Sequence, residues 1–409
     1  QVNNISSTQS VVTQASAKGD LNIIATEGNI HSQGAQLSAE GDALLHAKEN
    51  IHLGVAQSHL EQTADRKQSG FSIDNRDWVA PAGTFKNKNQ GDGRSTQTTG
   101  TQLSVGGKNT LQTEQGDINI IGSSVASKDD VKLNAARDVN IKSSQNSQSQ
   151  SEQSSNKGIG SAQISDTEQF YGYMKGQSQS NSHGVEQQRS QVGSLEGNVN
   201  IQAGRQYTQQ VADIVAAKDL NIQAQDIQVL EGHNTGSVSE NSKDLKIGQF
   251  SRVSSPLIDL LNAADKAKNS KADDRTQALQ AVAAGAQGYQ SYSDIKGGAL
   301  FKAETGIGFS TSKNQQNSSY ATSQQNNLKA GGNVNLTSTN GDIHLQDTQV
   351  KAQQNINLDS VKDILLESGQ SQQKADGKNS NAGLSVGVGV SVGTQTGVYV
   401  YGEAGYGKG

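Results

Sequence analysis

One 21-residue spacing of single apolar residues recurs four times in this chain, and little else about its fold is as constrained. Ile30, Leu37, Leu44 and Ile51 are followed by Ile118, Val125, Val131 and Val139. The set returns as Tyr207, Ile214, Leu220 and Ile227, and again as Ile343, Val350, Ile356 and Ile364. The steps are 7-7-7, 7-6-8, 7-6-7 and 7-6-8. A fixed period of this length marks a solenoid, in which each repeat buries its apolar face only against its neighbours.

Within each block the local phrase is Gly, then Asp or Asn, then an apolar-polar-apolar triplet. Gly19-Asp20-Leu21-Asn22-Ile23, Gly116-Asp117-Ile118-Asn119-Ile120, Gly197-Asn198-Val199-Asn200-Ile201 and Gly341-Asp342-Ile343-His344-Leu345 are examples. Alternation gives a strand with one face buried. Gly before Asx gives a tight corner, with the Asx side chain bonding a nearby amide. Three such strands of about seven residues make one coil, and stacked parallel coils rise by about 4.8 Å. The outward residues Asn22, Asn119, Asn140, Asn200, Asn221, Asn335 and Asn357 then form a solvent-facing stack bonded from coil to coil rather than a ligand site.

Composition agrees with a thin core. Only 32% of the 409 residues are apolar and 4% aromatic, too few to fill two or three globular domains, yet the large aliphatics stay in register as disordered chains do not. Two prolines leave backbone N–H groups free for long ladders, and 45 glycines supply corners. The net charge of −5, with both signs scattered, shows no basic stripe for nucleic acid. There is no cysteine, no apolar run long enough for a transmembrane helix and no opening signal peptide, and the Gln1 start with the abrupt Gly409 end suggests an internal piece of a longer protein.

Long insertions separate the blocks: 52 residues from Ile51 to Leu103, 53 from Val139 to Val192 and 101 from Ile227 to Leu328. The coil blocks are therefore placed at about 15–57, 101–142, 192–231 and 328–368, and the insertions at 58–100, 143–191, 232–327 and 369–409. Polar runs flank a less polar centre in each, as with Gly158-Ile159-Gly160 and Phe170-Tyr171-Gly172-Tyr173, which reads as an extruded antiparallel hairpin. Gly70-Phe71-Ser72-Ile73 and Gly306-Ile307-Gly308-Phe309 are similar centres. The third insertion holds a helical stretch at 254–294, where Ser255 caps, Pro256 suits the first turn, and Leu257, Leu260 and Leu261 mark one face. Its expected role is to pack on a neighbouring arm, the alternative being contact with a partner or a membrane. Near the C-terminus Leu384, Val386, Val388, Val390 and Val392 alternate with Ser and Gly ahead of Tyr399, Tyr401 and Tyr406, a membrane-hairpin pattern. Since an unclosed sheet leaves edges that lipid does not tolerate, a hairpin docked on the solenoid wall is the expectation there. The residues placed at a membrane or partner contact are Phe71, Trp78, Phe170, Tyr171, Tyr173, Leu257, Leu260, Leu261, Phe301, Phe309, Val386, Val388, Val390, Tyr399 and Tyr401.

No catalytic set, metal site or cofactor site is expected. His31 and His52, one period apart, read as a solvated ladder rather than metal ligands, and no phosphate loop or nucleophile elbow occurs. A polysaccharide-cleaving β-helix would need carboxylates with Arg or Lys gathered on one groove, and no coil gathers them.

The Gly-Asp-Leu-Asn-Ile, Gly-Asn-Ile-His-Ser and Ala-Arg-Asp-Val-Asn-Ile phrases, with the Ser/Gln-rich excursions around them, resemble the haemagglutinin repeats of two-partner-secreted proteins. More closely, the blocks are similar to the second, distal repeat region of filamentous haemagglutinins and of contact-dependent growth inhibition effectors. The resemblance implies an all-β, right-handed parallel β-helix and a secreted, cell-surface protein. It also implies a dedicated outer-membrane transporter in the producing cell, a C-terminal toxin in the same chain and a target-cell outer membrane as partner. No catalytic motif of that family falls in this region. The other function it allows is the structural stalk of an adhesin.

Overall fold

The computed structural model describes residues 2–72, 82–165, 168–254, 299–393 and 397–409, and the described residues are strands joined by short corners with no helix. Eight coils stack into a parallel β-helix. Two faces of the coil are eight-stranded parallel sheets, and the third is the parallel part of a sixteen-stranded sheet. The helical stretch expected at 254–294 lies, from residue 255 on, outside the described residues.

Inside, the apolar residues stack in ladders. Ile30, Ile51, Ile118, Val139, Tyr207, Ile227, Ile343 and Ile364 follow one another on the third face. Leu37, Leu103, Val125, Val192, Ile214, Leu328 and Val350 do so on the first. On the second face the expected anchor Leu44 is off by one. Leu44 pairs with Asn22 and Thr110 on the outside, while Ala43 and Leu45 point inward beside Leu21 and Ile23. The first block thus steps 7-6-8, like the second and fourth. Asn109 takes the inward place between Ala43 and Val131, fully buried, with neither side-chain atom hydrogen-bonded. An unpaired buried amide costs about 1–3 kcal/mol. Asn109→Val is therefore expected to stabilise the chain by about that amount, read as a raised midpoint in guanidinium unfolding.

The Asx corners do more than turn the chain. The Asp42 amide donates to Asp20 Oδ1 at 2.8 Å, and the Lys108 amide to Asp42 Oδ1 at 2.7 Å. At the next corner the Asp117 amide donates to Asn50 Oδ1 at 2.8 Å. Each Asx side chain is a staple to the following coil rather than to its own turn. Outside, Asn200, Asn221, Asn335 and Asn357 form the expected amide ladder, with Nδ2-to-Oδ1 distances of 2.7–2.8 Å. Asn119 and Asn140 do the same at 3.0 Å, whereas Asn22 is followed by Leu44. The His31 and His52 rings stack at 4.8 Å, and partial burial and then the His31 charge hold the His52 imidazole below its ordinary value.

Where one coil passes straight into the next, the corner residue is left-handed. Gly34 (φ +66°), Gly122 (φ +56°), Val211 (φ +50°) and Asp347 (φ +43°) occupy that place in the first, third, fifth and seventh coils. A Cβ on Gly122 would lie 2.1 Å from Ser144 Oγ, so glycine is required there by space as well as by backbone angle.

In the second, fourth, sixth and eighth coils, the third face instead runs outward. Strand Ile51–Ser72 begins as a coil strand and continues without interruption into an arm that returns as Ala82–Gly100. The other arms are Ser144–Ser165 with Glu168–Gln188, Gly232–Ser254 with Ala299–Gln324, and Gln372–Gly393 with Gly397–Lys408. Two coils rise by about 9.6 Å, and the two strands of a hairpin occupy the same width. Successive arms therefore meet edge to edge. Strand 82–100 pairs with 144–165, 168–188 with 232–254, and 299–324 with 372–393, all antiparallel. The last hairpin is thus zipped to the preceding arm, whereas its sequence pattern predicts a hairpin docked on the solenoid wall. Strand Val2–Thr8 adds to the outer edge beside Asp65–His59. At the root, Arg189 grips Asp213 (Nε–Oδ2 2.9 Å, Nη2–Oδ1 2.6 Å) and donates to the Gln325 carbonyl at 2.6 Å, tying the return strands of two arms to one coil. Burial works against the Asp213 charge, but the Arg189 and Asn327 hydrogen bonds with the Arg189 and Lys329 charges hold its carboxyl below the usual range.

Candidate functional site

The arm sheet has two unlike faces. Residues directly opposite across an antiparallel ladder share a face, and successive residues alternate. Following the register across all four arms, one row runs Phe71, Thr84, Ile159, Tyr173, Ile247, Phe309, Leu384, Ala404. Apart from the half-buried Tyr173 its large side chains are left open: Phe71 is 73% exposed, Ile159 57% and Ile247 50%. Two residues toward the tips on the same face lie Tyr171, Ile307 and Val386; beyond them Val388 faces Val400, and Val390 faces Val398. All of these are exposed, Val400 to 81%. Isolated apolar residues on a surface are ordinary, but here they gather into one band that runs from Ile159 to Leu384 and is broken toward Phe71 by Thr84.

The opposite face carries a row of glycines: Gly83, Gly160, Gly172, Gly248 and Gly308. Next to it Phe170 and Met174 are buried with Ala162 against Phe250, the two phenyl rings 4.9 Å apart. Tyr399 and Tyr401 are also on this face. The Tyr399 ring lies where a Cβ of Gly389 would stand, and its hydroxyl donates to Glu304 at 2.7 Å. Partial burial, then that bond and the Glu304 charge, push its phenol up to about 12. Glu304, Arg252 and Glu403 make this face polar, with Arg252 and Glu403 3.6 Å apart.

Of the residues chosen from sequence, Phe71, Tyr171, Tyr173, Phe309, Val386, Val388 and Val390 are thus brought together on the apolar face. Phe170, Tyr399 and Tyr401 are on the other. Phe301 holds register with Val392. Trp78, Leu257, Leu260 and Leu261 lie outside the described residues. Sequence reasoning left out Ile159, Ile247, Ile307, Leu384, Val398 and Val400. Ile159 and Ile307 had a signal, each being the centre of a Gly-Ile-Gly phrase. Among the described residues no cluster of His, Asp and Glu could hold a metal ion.

The fold defines a repeat scaffold: a β-helix that extrudes zipped hairpins at every second coil. The chain belongs to the hemagglutinin repeat family, whose model matches residues 1–76, 82–170, 171–297 and 307–409. It is 28% identical over 321 residues to the toxin CdiA of Yersinia pestis, covering 76% of this chain and 10% of that protein. Against the deoxyribonuclease CdiA of Yersinia pseudotuberculosis it is 29% identical over 72% of this chain and 29% of the relative. The 16S rRNA endonuclease CdiA of Enterobacter cloacae is 28% identical over 68% of this chain and 9% of the relative. The chain therefore spans between 9% and 29% of these relatives' length. No solved structure matches it.

Proposed function

We propose that this chain is a non-catalytic segment of a secreted contact-dependent growth inhibition effector. It associates with the outer membrane of a target cell through the apolar face of its arms and helps deliver a C-terminal toxin. In this reading the parent protein leaves its producer through a dedicated outer-membrane transporter and stands on the cell surface. The observation that carries it is the exposed apolar band. A plain adhesin stalk accounts for the stapled solenoid, but it has no use for an open hydrophobic face on arms roughly 60–80 Å long. Half-covering about a dozen such side chains releases on the order of 10 kcal/mol, enough to outweigh the entropy lost on docking. The nuclease names of the relatives belong to those whole proteins.

The test is flotation of the 409-residue chain with outer-membrane vesicles. The chain is expected to float. The triple variant Ile307→Asp, Val388→Asp, Val400→Asp alters side chains that are already open, so it is expected to fold normally and to lose at least nine-tenths of the floating fraction. A chain that stays at the bottom of the gradient, or a triple variant that floats equally, overturns the proposal.

A further inference from the structure

Lysines that look scattered in the sequence are gathered by the arm register. The row two residues rootward of the Phe71–Leu384 row contains Lys86, Lys157 and Lys175, with the exposed Tyr406 at its end. The next row on the same face contains Lys67, Lys88, Lys243, Lys313 and Lys408. Half of the sixteen places in these two rows are lysine and none is acidic. All eight lysines are exposed. Lys67 lies 3.6 Å from Asp65, while Lys88, Lys157, Lys175, Lys243, Lys313 and Lys408 make no ion pair among the described residues. On the reverse face, the three rows interleaved with these two carry only Arg66, Asp244 and Lys246 as charges, two basic and one acidic. A solvated surface would not sort its charge this way between two faces of one sheet.

Resting on the reading of the apolar band as a membrane contact, we infer that these lysine rows bind the phosphate groups of anionic lipid headgroups while the band sits over the acyl chains. Rows on one face are spaced by about 7 Å along the strands, so the ammonium groups stand about 7 and 14 Å behind the last apolar row. That is the order of depths of a headgroup layer, and lysine stems reach along apolar surface to place their charge in it. Tyrosine among the lysines belongs to the same interfacial layer. A nucleic acid would meet the lysines but leave the adjoining band in water. A lipid leaflet satisfies both.

The experiment uses the 409-residue chain with neutral phosphatidylcholine vesicles and with vesicles holding about a third phosphatidylglycerol. Near a charged leaflet each lysine contributes up to about fivefold in partition. The chain is expected to favour the anionic vesicles by tenfold or more in 50 mM salt, and to lose most of that preference in 500 mM salt by screening. Replacing Lys88, Lys157, Lys175 and Lys243 by Gln is expected to bring the preference within about threefold while binding to neutral vesicles persists. The control substitution of Lys132, Lys218, Lys351 and Lys362 on the coils by Gln is expected to leave it intact. Equal binding of the chain to both vesicles, or an arm-lysine variant with undiminished preference, overturns the lysine assignment and leaves the apolar contact standing. Binding to a DNA duplex with no lipid preference also overturns it. Failure to float on any vesicle, outer-membrane vesicles included, removes both.

Discussion

Leu133→Ala is expected to cost about 3–4 kcal/mol, and to cost it locally. Leu133 is fully buried in the fourth coil, stacked between Leu111 and Ile201. Truncating a buried leucine removes its transfer energy and leaves a cavity, together about 2–5 kcal/mol. A core one coil wide has no second layer to collapse into the gap, which places the loss in the upper half of that range. In a solenoid each coil is held only by its neighbours, so damage stays where it is made. Denaturant unfolding should show the loss. Hydrogen exchange should fall in protection at 109–113, 131–135 and 199–203 and stay unchanged at 334–338. Lys132→Ala, one residue away but outward, is expected to move stability by less than about 0.5 kcal/mol. Equal effects from both, or a uniform loss of protection, would contradict the ladder assignment.

The solenoid and the arm sheet are coupled through one length. Coil spacing fixes where each arm emerges, and emergence at every second coil lets two strands fill the interval between arms. An arm at every coil would crowd, and an arm at every third would leave a strand's width empty. The apolar band and the lysine rows exist only because four hairpins zip in one register. The coil is thus the ruler for the apolar band and the lysine rows, which lie on the arms.

Much of this was legible beforehand. A 21-residue period and Gly-Asx corners announce a coil, because a one-coil core needs its few large aliphatics at fixed places. Leu44 misled because it adjoins Leu45, and spacing alone cannot say which of two neighbouring leucines faces inward. The Asx side chains read as local turn bonds, since the amide they accept lies one coil on. It is 22 residues away for Asp20 and 66 for Asp42, where an arm intervenes. The arms were visible as hairpins, but their union was not, because pairing between separate insertions depends on the rise of the coil. For the same reason Phe170 and Tyr171 looked alike, although one residue of alternation sends the first to the buried cluster and the second to the open face. Tyr399 and Tyr401 likewise belong with Glu304 and the glycines rather than with Val398 and Val400.

Gly248→Val tests the union of the arms most severely, because intrinsic preference and packing predict opposite signs. In a strand with room around it, valine is favoured over glycine by up to about 1 kcal/mol. Gly248, however, pairs with Gly172 at the seam between the second and third arms. A Cβ there would lie 2.3 Å from the Tyr171 carbonyl oxygen and 2.7 Å from the Gly172 Cα, and a Cβ on Gly172 would meet the Ile247 carbonyl oxygen at 2.3 Å. Backbone cannot yield as a side-chain end can, so the strands must part. The neighbouring Phe170–Phe250 contact would be pulled open with them. The expected result is a sheet divided at this seam, with loss of exchange protection in 168–176 and 244–252 and full protection kept in the coils. Membrane flotation should fall as well, since the apolar row is cut between Tyr173 and Ile247. Gly93→Val supplies the contrast: nothing lies within 4 Å of a Cβ at Gly93, so that change is expected to be neutral or stabilising. A stabilised Gly248→Val arm would mean that the hairpins stand apart, and the continuous face described above would go with it.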